Sequence, residues 1–209
     1  MDLIWDFDGT IMDTYPIMVE AFVDALVDMR IDEFEIDDYE INQVMRRHSL
    51  ATCVQKYAAH FNIDADTINE KYRQYEKQNV KDANIFMNVD KVLSQNVDDG
   101  GRNFLLTHRD DDAIDMLEND GLKDYFAELV TKNQDFKRKP DPEAVNYLIK
   151  NNDINRDDCM FMGDRKLDVN AAHNAGIKAC LFDPDGMINS TGDPEMTINN
   201  YYDFLHRND

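Results

Sequence analysis

Short apolar runs that stop abruptly at polar residues constrain this chain more than any other feature. Leu3-Ile4-Trp5, Phe104-Leu105-Leu106, Ala127 to Thr131, Cys159-Met160-Phe161-Met162 and Ala179-Cys180-Leu181-Phe182 have the length of strands rather than helices. Consecutive apolar positions mean burial on both faces, and from Asn88 onward such runs alternate with helical patterns, as in repeated βα units around a parallel sheet.

The spacing predicts helices over Asn88 to Val97, Asp110 to Asn119 and Leu167 to Ala175, closed by Gly100-Gly101, Gly121 and Gly176. Asp141-Pro142 reads as a helix start, with the acid at the cap and proline in the first helical position. Met196 to His206 is expected to hold a short strand and a helix. Between the first and second apolar runs the pattern is different. From about Asp13 to Asp82 there is no strand alternation, only four helical segments: one opening at Asp13-Thr14 with Pro16 in its first turn, then Asp37 to Arg47, Ser49 to Phe61 and Asp66 to Gln78. The expected fold is therefore α/β, a Rossmann-like parallel-sheet core of residues 1–13 and 83–209 with an all-helical domain inserted at 14–82.

At 209 residues and 43% hydrophobic, the chain can bury a substantial core. Its formal net charge of -21, from 43 acidic against 22 basic residues, repels polyanions, so nucleic acid and anionic membrane surfaces are poor partners. No stretch has the roughly 18 to 20 apolar residues of a membrane span, and the N-terminus lacks a signal-peptide pattern, so the expected location is cytoplasmic. Cys53, Cys159 and Cys180 form no C-x-x-C pair and read as small buried hydrophobes.

The polar residues that follow the runs carry chemistry. Leu3-Ile4-Trp5 delivers Asp6-Phe7-Asp8-Gly9-Thr10 into a loop at a strand end, where open α/β sheets bind ligands, and Gly9 allows close backbone approach. Carboxylates one residue apart on an extended segment point to different sides, so Asp6 and Asp8 can take separate roles. One can attack phosphorus while the other acts on the leaving oxygen as general acid and later activates water. Thr107 ends the second run, where its hydroxyl and the next N–H can hold a phosphoryl oxygen, with His108 adjacent. Lys139, kept extended by Pro140, can neutralise the attacking carboxylate and the transferring phosphoryl group. Gly163-Asp164 through Asp168 follows the Cys159 run, and Asp164 with Asp6 and the backbone carbonyl of Asp8 suits Mg²⁺, with Asp168 placed to order Lys139 or a metal-bound water. Arg46, Arg47 and His48 form a polar cluster between two of the inserted helices, read first as a solvated helix end and otherwise as a contact for an anionic substrate, for which Lys56, Lys71 and Arg73 are alternatives.

These segments, in this order, resemble the motifs of the haloacid dehalogenase superfamily, and the helical insertion looks like the cap of its phosphoglycolate phosphatase and β-phosphoglucomutase branch. The resemblance implies a Mg²⁺-dependent aspartyl-phosphate mechanism acting on a small phosphorylated metabolite. In it Asp6 is the nucleophile, Asp8 the acid and base, Gly9, Thr107, His108 and Lys139 the phosphate site with Lys139 also catalytic, and Asp6, Asp8 and Asp164 the metal site supported by Asp168. Phosphatase chemistry is the main expectation. The alternatives are a phosphosugar mutase, disfavoured because Asp13 to Glu20 lacks the histidine of β-phosphoglucomutases, and a non-catalytic binding or regulatory protein, disfavoured by the complete set of acids.

Overall fold

A computed structural model describes residues 1–206. The chain divides into two compact units, one formed by Met1–Met12 with the chain from Ile85 onward, the other by Asp13–Asn84.

Within the first unit six strands form one sheet. In chain order they are β1 (Asp2–Trp5), β2 (Arg102–Leu106), β3 (Phe126–Val130), β4 (Cys159–Gly163), β5 (Lys178–Phe182) and β6 (Met196–Ile198). All neighbouring pairs are parallel, and the spatial order is β3-β2-β1-β4-β5-β6. This is the doubly wound Rossmann-like order, in which the chain builds outward from β1 on one side and then returns to build outward on the other. The reversal falls between β1 and β4, so the loops leaving these strands diverge and leave a crevice at their carboxyl ends. Register puts those ends level: Trp5 lies opposite Met162 and Leu105, and the Asp6 N–H continues the ladder to the Met162 carbonyl at 2.8 Å.

Strand alternation assigns the two faces. Ile4, Phe104, Phe161, Ala179 and Leu181 share a buried cluster with Ala144, Val145 and Leu148 of the helix Glu143–Asn151 and with Val169, Ala171 and Ala172 of the helix Lys166–Asn174. On the opposite parity, Trp5 and Phe182 meet Tyr201 of the short helix Tyr201–Leu205, at ring-centroid distances of 5.8 and 4.5 Å. The Trp5 Nε1–H donates to Asn103 Oδ1 at 3.1 Å, and the Asn103 amide donates to the Leu93 and Tyr125 carbonyls, so this buried amide is well satisfied.

The second unit is helical. Its helices Tyr15–Asp28, Asp38–Arg47, Leu50–Phe61 and Ala65–Asn79 enclose a core of Phe22, Leu26, Ile41, Met45, Tyr57, Ile68 and Tyr72. Asp37, Ser49 and Asp64 cap the last three helices, each side chain accepting a backbone N–H of the first turn. Two-residue strands, Met12–Asp13 and Asn84–Ile85, pair with each other where the chain passes between units.

The helix expected to start on Asp141-Pro142 begins instead at Glu143. Pro142 is its cap residue, and Asp141 Oδ1 accepts the Glu143 N–H at 3.0 Å. The three cysteines are buried and in no disulfide, and burial pushes the Cys53 and Cys159 thiols up to about 12. No helix among the described residues is long and apolar enough to cross a membrane.

Candidate active site

The ends of β1 and β4, the helix Lys166–Asn174 and the Lys139 loop bring four buried charged side chains together, Asp6, Asp164, Asp168 and Lys139. Lys139 Nζ lies 2.9 Å from Asp6 Oδ1 and 2.6 Å from Asp168 Oδ1, over the Phe161 ring at 5.3 Å. It also donates to the Leu106 carbonyl at 3.4 Å. Burial alone would favour a neutral amine, yet Asp168 and Asp6 outweigh it and hold the Lys139 pKa above its ordinary value. The Asp168 carboxyl is raised, by burial first and by the Asp6 charge, against the opposing pull of Lys139. Asp164 is fully buried, and Arg165 Nε stands 3.8 Å from its Oδ1.

Asp6, Asp164 and Asp168 present carboxylate oxygens within 4.8 Å of one another. The set is all oxygen and gathers three acids around one ammonium, which is the donor chemistry of a hard divalent cation. Lys139 engages one oxygen each of Asp6 and Asp168, and these two with Asp164 are the side chains that could hold such a cation. The side chain of Asp8, expected at the metal only through its backbone carbonyl, is paired with Arg109.

Local backbone explains the convergence. Asp6 Oδ1 accepts the Phe7 N–H at 2.8 Å, which orients the carboxylate as the strand ends. The loop then doubles back, with the Ile11 and Met12 N–H groups both donating to the Phe7 carbonyl. Gly9 has φ +73°, and its own N–H is spent on the Met12 carbonyl at 2.8 Å, so what Gly9 provides is the turn rather than a donor for phosphate. Gly163 is required for a different reason. A Cβ there would stand 2.6 Å from Asp168 Cγ and 2.9 Å from its Oδ2, so only glycine lets the first turn of the next helix bring Asp168 against the strand end. Asp168 Oδ2 is fixed there by the Arg165 N–H at 3.1 Å.

Thr107 is buried at the end of β2, its Oγ1 accepting the Arg109 N–H at 3.0 Å, which leaves the hydroxyl proton to donate. His108 does not present its Nε2 to a ligand. That nitrogen accepts the Lys139 backbone N–H at 3.0 Å, and burial, reinforced by Lys139, Arg138 and Arg165, lowers the imidazole to about 2. The ring is neutral and braces the lysine loop, whose Lys139–Pro140 peptide is cis. Arg46 is buried in the helical unit with its guanidinium over Tyr15, 5.3 Å from the ring centroid.

One residue that the sequence pattern did not single out stands beside the expected ones. Arg109 Nη2 and Nε donate to Asp8 Oδ1 at 2.8 and 3.0 Å, and Nε also reaches Oδ2 at 3.2 Å. Its only sequence signal is position, two residues past Thr107 on the same strand-end loop.

Residues 3–182 match the haloacid dehalogenase-like hydrolase family, and the chain belongs to it. It is accordingly an enzyme, a hydrolase whose named relatives are phosphatases. It is 25% identical over 183 residues to a phosphoglycolate phosphatase of Vibrio cholerae, covering 83% of this chain and 80% of that one. It is 24% identical over 182 residues to the pyrophosphatase PpaX of Bacillus velezensis, covering 84% and 80%. Among solved structures, a hydrolase from Streptococcus pneumoniae TIGR4 is 32% identical, with a TM-score of 0.66 over 87% of this chain and 91% of that one.

Proposed function

We propose that this protein hydrolyses a small phosphate monoester with Mg²⁺, through a phosphoryl group carried on Asp6. The observation that carries this reading is the buried group of Asp6, Lys139, Asp164 and Asp168 at the carboxyl ends of adjacent parallel strands. Asp6 and Asp164, with the Asp8 carbonyl, would hold the cation, which when bound supplies positive charge to a transferring phosphoryl group.

Lys139, fixed by Asp168, keeps an ammonium beside the attacking carboxylate. An Asp6 oxygen attacks phosphorus, the ester P–O bond breaks, and Asp8 gives a proton to the departing oxygen. Asp8 then takes a proton from water, the water oxygen attacks the same phosphorus, and the P–O bond to Asp6 breaks to release inorganic phosphate. Thr107 donates its hydroxyl to a phosphoryl oxygen throughout, and the neutral His108 keeps the Lys139 loop in place. The names of the relatives, a phosphoglycolate phosphatase and a pyrophosphatase, support a small and strongly anionic substrate. We assign residues 14–82 the task of choosing among such substrates.

The test is Asp6→Asn with p-nitrophenyl phosphate and excess Mg²⁺. An amide keeps the shape and cannot attack phosphorus, so turnover should fall at least about a thousandfold, some 4 kcal/mol of barrier. A purified, folded variant with more activity than that excludes Asp6 as the nucleophile.

A further inference from the structure

We infer that Arg109 is a phosphate-binding residue that exchanges partners, holding the Asp8 carboxylate when no substrate is bound and the phosphoryl oxygens when it is. The inference rests on the phosphatase reading and adds a residue to it.

The pair spans 101 residues of sequence, and both of its backbones are fixed. The Arg109 N–H is tied to Thr107 Oγ1, and its carbonyl accepts the Lys132 N–H at 2.9 Å. Asp8 belongs to the tight turn centred on the Phe7 carbonyl. The guanidinium has therefore been delivered to this strand-end crevice by a rigid base, and its side chain is only 10% exposed. Asp8, at 24%, is the more accessible partner.

The arrangement conflicts with the chemistry assigned to Asp8. Three N–H to O contacts occupy both carboxylate oxygens, and a carboxyl that is to hand a proton to a leaving group, or to receive one from water, must give up part of that grip. A guanidinium so placed needs an alternative acceptor of the same shape when it lets go. A phosphoryl group offers one, since its oxygens accept the two-pronged donor set in the geometry a carboxylate does. Thr107 and Arg109 share one loop, so a phosphoryl oxygen held by the threonine hydroxyl stands within that loop's reach. Binding of phosphate would then free Asp8 to work.

The test is a double-mutant cycle read by binding rather than turnover, using inorganic phosphate with Mg²⁺ in titration calorimetry. Arg109→Ala should weaken phosphate binding about tenfold or more, and Arg109→Lys should recover part of it. Asp8→Asn should tighten phosphate binding severalfold, because Arg109 no longer has a charged competitor. Removing a negative charge near the ligand would tighten binding by itself, so the deciding variant is Asp8→Asn in the Arg109→Ala background. There the gain should shrink to that charge effect alone. An equal gain in both backgrounds, or no loss in Arg109→Ala, overturns the partner exchange. If the native enzyme hydrolyses p-nitrophenyl phosphate while the cycle shows no coupling, only this inference fails. If it neither binds phosphate nor turns over the ester, the phosphatase reading fails and takes the exchange with it.

Discussion

His108 shows how a side chain next to a candidate catalytic segment can brace it through its ring. Its ring accepts the Lys139 N–H, and with a pKa lowered to about 2 it stays neutral where an unfolded histidine, near 6.5, would be charged. The unfolded chain therefore binds the extra proton between those values and the folded chain does not, so stability falls as pH drops below about 6.5 and keeps falling toward 2. Replacing His108 with Gln retains an acceptor for the Lys139 N–H and removes the titration. Urea unfolding at pH 7, 5.5 and 4.5 should show a shallower acid decline for His108→Gln, by up to about 1.4 kcal/mol per pH unit. Parallel declines would mean that the folded ring takes up its proton freely. Asp6, Asp8, Asp164 and Asp168 were legible because they lie just beyond apolar runs, and Lys139 because it stands before a proline, so that position along the chain carries over into position at the strand ends. Arg109 offered no such signal. An arginine in a polar loop resembles any solvated basic residue until a partner 101 positions away is placed beside it.

Elements were legible in proportion to their length. The strands and longer helices carry enough apolar positions to show a period, whereas the paired strands Met12–Asp13 and Asn84–Ile85 have two residues each and no period to display. The helix Tyr201–Leu205 is a middle case. Five residues do not sustain a helix by propensity, so this one exists because Tyr201 and Phe204 are buried beneath it. Its value to the site is one hydrogen bond: the Tyr201 hydroxyl donates to the Thr10 carbonyl at 2.8 Å, closing the loop that carries Asp6 and Asp8 from behind. Tyr201→Phe keeps the ring stacked on Phe182 and leaves that buried carbonyl without its donor. The expected cost is about 1–2 kcal/mol in urea unfolding, with faster amide exchange confined to Thr10 through Met12. An unchanged midpoint together with unchanged exchange would show that the helix does not support the loop.

At the scale of the whole molecule, the dominant fact is charge. A chain of formal charge -21 folds around Asp6, Asp164 and Asp168, three carboxylates placed within 4.8 Å of each other and out of water. Lys139 offsets part of that repulsion, and a divalent cation held by Asp6 and Asp164 would offset much of the rest. Folding and cation binding are then linked, since the unfolded chain has no such site. Mg²⁺ at about a hundred times its dissociation constant should add about 2.7 kcal/mol of stability, which for a chain of this size raises Tm by about 5–10 °C. General screening of the surface acids would raise Tm as well, so sodium chloride of matched ionic strength is the necessary comparison. Asp164→Asn separates the two effects. It removes a cation ligand and leaves the surface charge almost unchanged, so the response to sodium chloride should persist while the additional rise with Mg²⁺ disappears. If sodium chloride reproduces the whole Mg²⁺ effect in the native protein, or if Asp164→Asn keeps the additional rise, the three buried acids are not the cation site, and repulsion among them is relieved by protonation of Asp168 instead.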